Sequence, residues 1–429
     1  MKLVIVIILS ILLVISSLVF AEKAPVDYLI KNLKEGNEKQ KIMAAKELGK
    51  MQEESAVSAL EEALKEPSKK VREAVINALI NIPGNRSILA LCTATEDGVP
   101  DNRSLAIKGL VKKYIMHSSS KIKRVIAKIQ DVLDLQEEKN MIDPWIKVES
   151  CIGSALSRRL HDNKSVALEA IKAIHLLRIT PAIPELVKLL KKDEDIIIES
   201  LKTLADFRAK EAGENIIPLL MSKNNRIVAN TAYCLGKIGY EPAISHLIQL
   251  YNYSSDVKYQ KYAIMGLSML AAKDAAGIFL KNLKSGDAGF RIASAEGLGR
   301  IGDPKYTEEI ARQFLNEKDE EAKLALDFAL FKLKRKEHMM NLIKAINTYY
   351  DNVSAYIIEC GEEGFAEISR YIPSVEKNVK IKLIKIMGSS YNPSAIKYLE
   401  PYLNDSDIDI ATASFEAVKR LKKVEEMRK

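Results

Sequence analysis

Apolar side chains recur along the chain with the spacing of amphipathic helices, and one short pattern returns about every 31 residues. In this pattern a large aliphatic residue, here called the anchor, has one small residue directly before it and another small residue four positions before it. Successive anchors are 28 to 32 residues apart, except for a 64-residue gap that equals two repeat lengths and predicts one degenerate copy. The twelve anchors are Leu48, Leu79, Leu110, Ile174, Leu204, Leu235, Leu267, Leu298, Leu330, Ile358, Met387 and Val418.

The small residues beside the anchors indicate close helix packing. The residue four positions before the anchor is Ala, Ser or Thr in nine of the twelve copies. Small side chains let neighbouring helices approach at the short end of the usual range of about 8–10 Å. A second apolar segment precedes each anchor helix, as in 56–64 and 182–190, and turn residues such as Pro67 separate the two. Each copy is therefore predicted to be a helical hairpin, and the chain holds about 13 of them.

Two regions break the pattern. The spacing stretches over 117–161, where the only tryptophan, Trp145, follows a charged segment from Lys121 to Glu138. We interpret this region as an enlarged hairpin that changes the direction of the array. The copies then shorten over 334–375. The predicted organisation is an N-terminal leader (1–21), N-terminal repeats (22–116), an irregular repeat (117–161), central repeats (162–333) and degenerate C-terminal repeats (334–429).

Three stretches of the chain, 69–82, 225–251 and 289–304, resemble HEAT repeats in their short bacterial form. The resemblance extends over roughly 26–421 and is clearest from 166 to 333. It implies an all-α, right-handed α-solenoid, and it implies protein–protein binding in general without indicating a partner. The composition agrees, because 13 prolines and 19 glycines in 429 residues leave long helical segments uninterrupted.

The N-terminus is typical of an export signal. Lys2 precedes an apolar run from Leu3 to Ile15, and Val19 and Ala21 suit a signal-peptidase site. The alternative is an uncleaved membrane anchor, since the 19 apolar residues of 3–21 are just long enough to span a bilayer. Either interpretation places the remaining chain outside the cytoplasm, in the periplasm or at the cell surface.

Export limits the partners that the net charge of +8 can attract. Nucleic acid is excluded as a partner, and acidic proteins, anionic envelope polymers or lipid head groups remain. The four cysteines have neither metal-site nor compact disulfide spacing. Because only neighbouring repeats touch in a solenoid, Cys92 and Cys151 are the only two that could pair, and the four cysteines are expected to be mostly buried free thiols.

Sequence motifs of catalysis are missing. None of the five histidines has another histidine three or four positions away, and neither a phosphate-binding loop nor a Gly-x-Ser-x-Gly turn occurs. Paired acids such as Glu61 and Glu62 are typical of solvated helix faces. Some bilin lyases share this repeat, but export argues against that role. We therefore predict no catalytic residue, no cofactor and no metal.

The repeat register indicates which side chains are free to bind a partner. Residues two before and two after the anchor point about 160° away from it, and in HEAT-like arrays they line the concave surface. There the first repeats carry lysines, here called the basic ridge: Lys46, Lys50, Lys108, Lys112, Lys172 and Lys202. Later repeats carry apolar and cationic residues, which form the predicted partner site: Tyr233, Lys237, Met265, Met269, Arg300, Phe328, Lys332 and Tyr356. A tightly wound superhelix that packs these residues against itself is the alternative to an exposed site.

These features favour an exported, non-enzymatic scaffold of a cell-envelope assembly. Its partner site would supply apolar anchors and steer an acidic protein. The alternative function is a receptor for an anionic envelope polymer or membrane surface, bound by the basic ridge. An enzyme with an unrecognised site is a minor third hypothesis.

Overall fold

The computed structural model describes residues 25–118 and 141–428, and within these ranges the regular structure is entirely helical. The all-α prediction is therefore confirmed. The predicted leader (1–21) and the charged segment from Lys121 to Glu138 lie outside the described residues. In the described ranges, no helix combines the length and apolar character needed to cross a membrane.

The helices fall into two compact units, Met1–Thr203 and Leu204–Lys429. The first unit contains α1 (25–35), α2 (Glu38–Met51), α3 (Val57–Ala63), α4 (Lys69–Asn81), α5 (Asn85–Ala94), α6 (Pro100–Ser118), α7 (Ser150–Arg159), α8 (Lys164–Leu176), α9 (Ile183–Lys188) and most of α10 (Glu194–Asp206). The second contains α11 (Gly213–Ile216), α12 (Asn225–Lys237), α13 (Ala243–Tyr253), α14 (Val257–Met269), α15 (Ala276–Asn282), α16 (Ala288–Ile301), α17 (Thr307–Asn316), α18 (Glu320–Lys332), α19 (His338–Ala345), α20 (Tyr350–Tyr371), α21 (Lys377–Ser389), α22 (Ile396–Leu399) and α23 (Ile408–Arg428).

Consecutive helices pair as hairpins, and the second helix of each hairpin carries the anchor. Second helices stack on one another, α2 on α4 and α4 on α6 in the first unit, and α12, α14, α16 and α18 in the second. Eleven of the twelve predicted anchors are buried between these layers. The predicted hairpin repeat is therefore confirmed, and burial of its aliphatic residues is the main source of its stability.

Polar residues in the loops bind consecutive repeats together. Asp287 caps α16 by accepting a hydrogen bond from the Gly289 backbone N–H at 2.7 Å. Its carboxylate also pairs with Lys261 of the preceding second helix, at 2.8 Å. Arg72 of α4 pairs in the same way with Asp97 of the following loop, at 2.7 Å. One carboxylate thus starts a helix and holds the neighbouring repeat.

The second helices end in a common way. The residue four after the anchor adopts a positive φ, as in Gln52 (54°) and Gly302 (71°). In most of these repeats the next backbone N–H donates to the anchor carbonyl, as from Tyr240 to Leu235 at 3.1 Å. This arrangement is the Schellman motif, which satisfies carbonyls that the helix leaves free. The same position carries a positive φ in Gln52, Arg178, Arg208, Gly239, Ala271, Gly302, Lys334 and Tyr391.

The anchor of α20 differs from the prediction by one residue. Ile358 is exposed, whereas Ile357 is fully buried. Gly361, four residues after Ile357, has φ 58° and ψ −141°. It lies at a kink between two helical segments that follow each other directly. A single glycine therefore replaces the usual loop between repeats, which explains why the copies shorten here.

Gly361 provides a test of this one-residue linker. Gly361→Ala is expected to lower the free energy of unfolding by about 1–2 kcal/mol, because a Cβ is strained in this backbone region. The nearest atom to an added Cβ is the Asn392 amide nitrogen at 4.0 Å, so the loss comes from the backbone alone. Urea denaturation followed by circular dichroism measures it. Gly302→Ala is the matched control, because its φ of 71° and ψ of 17° lie in the left-handed helical region, which residues other than glycine also adopt. An equal loss in both variants would contradict the assignment.

The irregular repeat is described only in part, at residues 117–118 and 141–161. Second helices α6 and α8 pack directly against each other, so no hairpin lies between them in the stack. Residues 141–149, which include Trp145, contain no helix. The Ile142 backbone N–H donates to the Leu176 carbonyl at 2.8 Å, and Arg178 donates to the Ile142 carbonyl at 2.6 Å. The described part of the longer spacing, residues 141–149, therefore adds no layer between α6 and α8.

Candidate partner-binding surface

Three apolar side chains on α12 and α14 form a surface that we call the apolar patch: Tyr233, Met265 and Met269. Tyr233 and Met265 occupy the same register position of successive second helices and are 39% and 44% exposed. Met269 is half-buried and lies over Gly236, where an added Cβ would stand 2.7 Å from the Met269 Cβ. Tyr233 and Met265 stay outside the core because they lie opposite the anchors Leu235 and Leu267.

A cationic side chain accompanies this surface. The Lys237 ammonium lies 5.9 Å from the centre of the Tyr233 ring, within the range of a cation–π interaction. Lys237 is half-buried, so its alkyl chain extends the apolar surface while its charge stays near solvent. The apolar patch and Lys237 together thus supply aromatic, thioether and cationic groups, the types that are enriched at protein interfaces.

Two other members of the predicted partner site are buried, and the prediction that they are exposed is wrong. Phe328 is 0% exposed and Tyr356 is also buried. Their rings stack with centroids 4.6 Å apart and an interplanar angle of 17°. The Tyr356 hydroxyl donates to Glu296 at 2.7 Å, and burial, followed by the charge of Glu296, raises the pKa of Tyr356 well above its usual value. This pair belongs to the core of the second unit.

Arg300 is likewise held within the protein. Its guanidinium donates to both carboxylate oxygens of Glu359, at 2.8 and 3.0 Å, and to Glu296 at 3.0 Å. It also lies 5.5 Å from the Phe328 ring centre. Burial opposes its charge, but hydrogen bonding and attraction from the two glutamates outweigh burial and raise the pKa of Arg300. Arg300 is therefore neutralised internally, which contradicts its predicted role in steering an acidic partner.

The physical reason is that helices two repeats apart meet in this part of the unit. Glu296 and Arg300 of α16 contact Tyr356 and Glu359 of α20, across α18. Phe328 of α18 is enclosed between them, so α18 is buried on all sides along residues 324–331. The alternative of self-packing therefore holds for Arg300, Phe328 and Tyr356, while Lys332 remains half-buried at the end of α18.

The basic ridge lies in the first unit, and all six of its lysines are exposed, as predicted. Three of them have acidic neighbours: Lys50 with Glu47 at 2.7 Å, Lys108 with Glu169 at 3.6 Å, and Lys202 with Glu199 at 2.7 Å. These exposed pairs contribute little to stability but reduce the positive potential of the ridge. The ridge is thus a surface of alternating charge, and its other three lysines, Lys46, Lys112 and Lys172, form no ion pair with a residue in 25–118 or 141–428.

A buried histidine pair was missed at the sequence level. His338 Nδ1 and Asp327 Oδ1 lie 2.7 Å apart, and the Asn341 amide also donates to Asp327, at 2.8 Å. A single aspartate inside the apolar run 324–331 was the signal that could have revealed it. Over 25–118 and 141–428, no three His, Cys, Asp or Glu side chains are grouped to hold a metal ion. The pair joins α18 to α19 and has the contacts of a structural element.

Comparison with known proteins identifies HEAT repeats in two parts of the chain. The family model for HEAT repeats matches residues 26–111 and 244–331, which lie one in each unit. No curated protein matches the sequence.

Three solved structures are similar to this chain. The chain is similar to an engineered protein, at 17% identity over 93% of this chain and 99% of that chain with a TM-score of 0.39. It is similar to the complex of CpcE and CpcF of phycocyanin lyase from Nostoc sp., at 20% identity over 56% and 94% with a TM-score of 0.41. It is also similar to the Kap95:Nup1 complex, at 14% identity over 93% and 57% with a TM-score of 0.47.

Proposed function

Because the chain contains HEAT repeats in both of its units, we propose that it is an exported, non-enzymatic scaffold that binds a protein partner through the apolar patch. The fold is one that protein-interaction scaffolds typically use. The observation that carries the proposal is the exposure of Tyr233 and Met265 at equivalent positions of successive repeats. Neither residue is needed for packing, and large apolar groups that remain exposed in register mark an interaction surface.

The set of partner-contacting residues in this proposal is smaller than the set predicted from the sequence. The patch and Lys237 remain available, and Lys332 remains half-buried, whereas Arg300, Phe328 and Tyr356 are engaged internally. The partner should therefore present an apolar side chain to Tyr233 and the two methionines, with an acidic group near Lys237. Export through residues 1–21, and a place in the periplasm or at the cell surface, form part of this proposal.

The patch can be tested with a pair of matched double variants. Tyr233→Ser with Met265→Ser should weaken partner binding by about 30-fold or more, as expected for the loss of interface hot spots of about 2 kcal/mol. The melting temperature should be unchanged, because neither side chain is enclosed by the core. Affinity purification from envelope fractions, with mass spectrometry, identifies the partner, and isothermal titration calorimetry with the purified partner measures the loss.

The matched control makes the same chemical changes elsewhere in the second unit. Tyr253→Ser with Met221→Ser removes one tyrosine and one methionine that are strongly exposed but lie outside the second helices. This control should retain full affinity. Equal binding by both double variants would overturn the assignment of the patch.

The basic ridge supports a second candidate function, an anionic polymer or membrane receptor, because all six lysines are exposed. Binding of this kind should fall steeply with salt and should not respond to the loss of Tyr233. Co-sedimentation with anionic lipid vesicles at low and high salt distinguishes the two functions.

A further inference from the structure

Two thiols meet in the first unit. The Sγ atoms of Cys92 and Cys151 lie 2.8 Å apart, although the residues are 59 positions apart in sequence. Cys92 is buried on α5, and Cys151 is half-buried in the first turn of α7. The remaining cysteines, Cys234 and Cys360, lie in the second unit. Of the four cysteines, the fold therefore brings Cys92 and Cys151 together.

Polar contacts hold the two helices at this approach. The Asn85 amide at the start of α5 donates to Glu149, directly before α7, at 3.1 Å. Beyond the end of α5, Glu96 pairs with Arg158 of α7 at 2.8 Å. The Glu149 backbone N–H also donates to the Tyr114 hydroxyl at 3.1 Å. Because contacts lie at both ends of the helix pair, the two sulfur atoms are held near each other by the surrounding structure.

We propose that Cys92 and Cys151 form a disulfide bond that ties α5 to α7 across the irregular repeat. The bond forms by thiol–disulfide exchange with a disulfide oxidant, either a small disulfide or the disulfide of an oxidoreductase. It would join positions 59 residues apart and so restrict the unfolded chain over the whole of 92–151.

The accessibility of the two sulfurs sets the order of steps. Cys151 is the more exposed, so its thiolate attacks one sulfur of the oxidant and expels the other as a thiolate. Cys92 then loses its proton, and its sulfur attacks Cys151 Sγ and expels the second oxidant thiolate. The protein gives up two electrons and two protons, and the oxidant becomes two thiols. Burial, followed by the hydrogen bond with Cys151, raises the pKa of the Cys92 thiol, which makes Cys92 a poor first nucleophile.

Counting thiols on the full chain tests the bond. The native protein is treated with oxidised glutathione, its free thiols are blocked with N-ethylmaleimide, and it is digested without reduction. A peptide that links Cys92 to Cys151 is expected by mass spectrometry. The thiol count in denaturant should fall from four to two, since the cross-link consumes one pair. A rise in melting temperature of roughly 5–10 °C should accompany it.

Variants separate this bond from unspecific oxidation. Cys151→Ser should keep three thiols after treatment and show no rise in melting temperature. Cys92→Ala should instead hold glutathione in a mixed disulfide at Cys151, because no second thiol is left to displace it, and should also show no rise in melting temperature. Cys234→Ser should still form the bond and retain one thiol, because Cys234 lies in the other unit. Four blocked thiols after oxidation, a link that involves Cys360, or disulfide-linked dimers in place of the internal link would each overturn the proposal.

Discussion

Arg291→Met is expected to lower the free energy of unfolding by about 3–5 kcal/mol, because it breaks a buried ion pair. The Arg291 guanidinium donates to both oxygens of Glu317, at 2.8 and 2.7 Å, and to the Ser285 carbonyl at 2.8 Å. The Glu317 side chain is only 2% exposed. Removal of Arg291 therefore leaves a buried carboxylate without its counter-charge and frees the loop between α15 and α16.

The pH dependence of this loss has a defined sign. Burial opposes the charge of Glu317, but the hydrogen bond from Arg291 and other donors outweighs burial and lowers the pKa of Glu317 to about 2. The pair therefore stabilises the fold fully above the ordinary glutamate pKa, and its contribution is lost as pH falls toward about 2. The difference between wild type and Arg291→Met should be largest near neutral pH and should shrink below about pH 4. Urea denaturation at several pH values measures it.

A surface pair is the control for Arg291. Lys284 and Glu309 lie 2.6 Å apart, but the lysine is well exposed, so Lys284→Met should cost less than about 1 kcal/mol. Arg291→Met combined with Glu317→Gln should recover part of the loss, because the remaining group carries no charge. A loss for Arg291→Met no larger than that for Lys284→Met would show that the buried pair is not needed.

Gly299→Ala is expected to destabilise the second unit by about 2–3 kcal/mol, although alanine is the better helix former. Gly299 follows the anchor Leu298, and an added Cβ would stand 2.6 Å from the Ala329 Cα of the next second helix. The obstacle is backbone rather than a flexible side chain, so α16 and α18 must move apart. The same substitution at Gly49 meets Ala78 Cα at 2.6 Å, and it should have a similar effect in the first unit.

The control is the same substitution in an open helix. Gly277 lies exposed in α15, and an added Cβ has no atom within 4 Å. Gly277→Ala should therefore stabilise by about 0.5–1 kcal/mol. Hydrogen exchange of α16 and α18 amides, together with urea denaturation, compares the two. If both substitutions stabilise, the close approach of the second helices would not exist in solution.

The close contacts between second helices could be predicted from the sequence only in part. Small residues before the anchor were recognised, but their partners, the glycines directly after the anchor of the preceding repeat, were not. Gly49 meets Ala78, Gly299 meets Ala329, and Gly388 meets Ala417, so one helix contact repeats along both units. The repeat pattern contains both residues of each contact, the glycine after one anchor and the alanine before the next. Only the packing of neighbouring helices reveals that these two positions face each other.

The candidate site was predicted in part. Tyr233, Met265 and the six lysines of the basic ridge are exposed as their register predicts, because the helical period alone decides which side lies opposite the anchor. The repeat pattern predicts Ile358 as the anchor of α20. Gly361 instead ends the helical segment four residues after Ile357, so Ile357 takes the anchor position. The shift turned Tyr356 inward.

The sequence by itself determined the helices, the hairpin repeat and the residues buried between successive layers, since these depend on local periodicity and on nearest neighbours. Only the tertiary structure decided whether outward side chains stay in solvent. That outcome depends on how closely helices two repeats apart approach, and small differences in packing accumulate over each layer. Where α16 reaches α20, Arg300 and Phe328 are enclosed, whereas on α12 and α14 the equivalent side of each helix stays open.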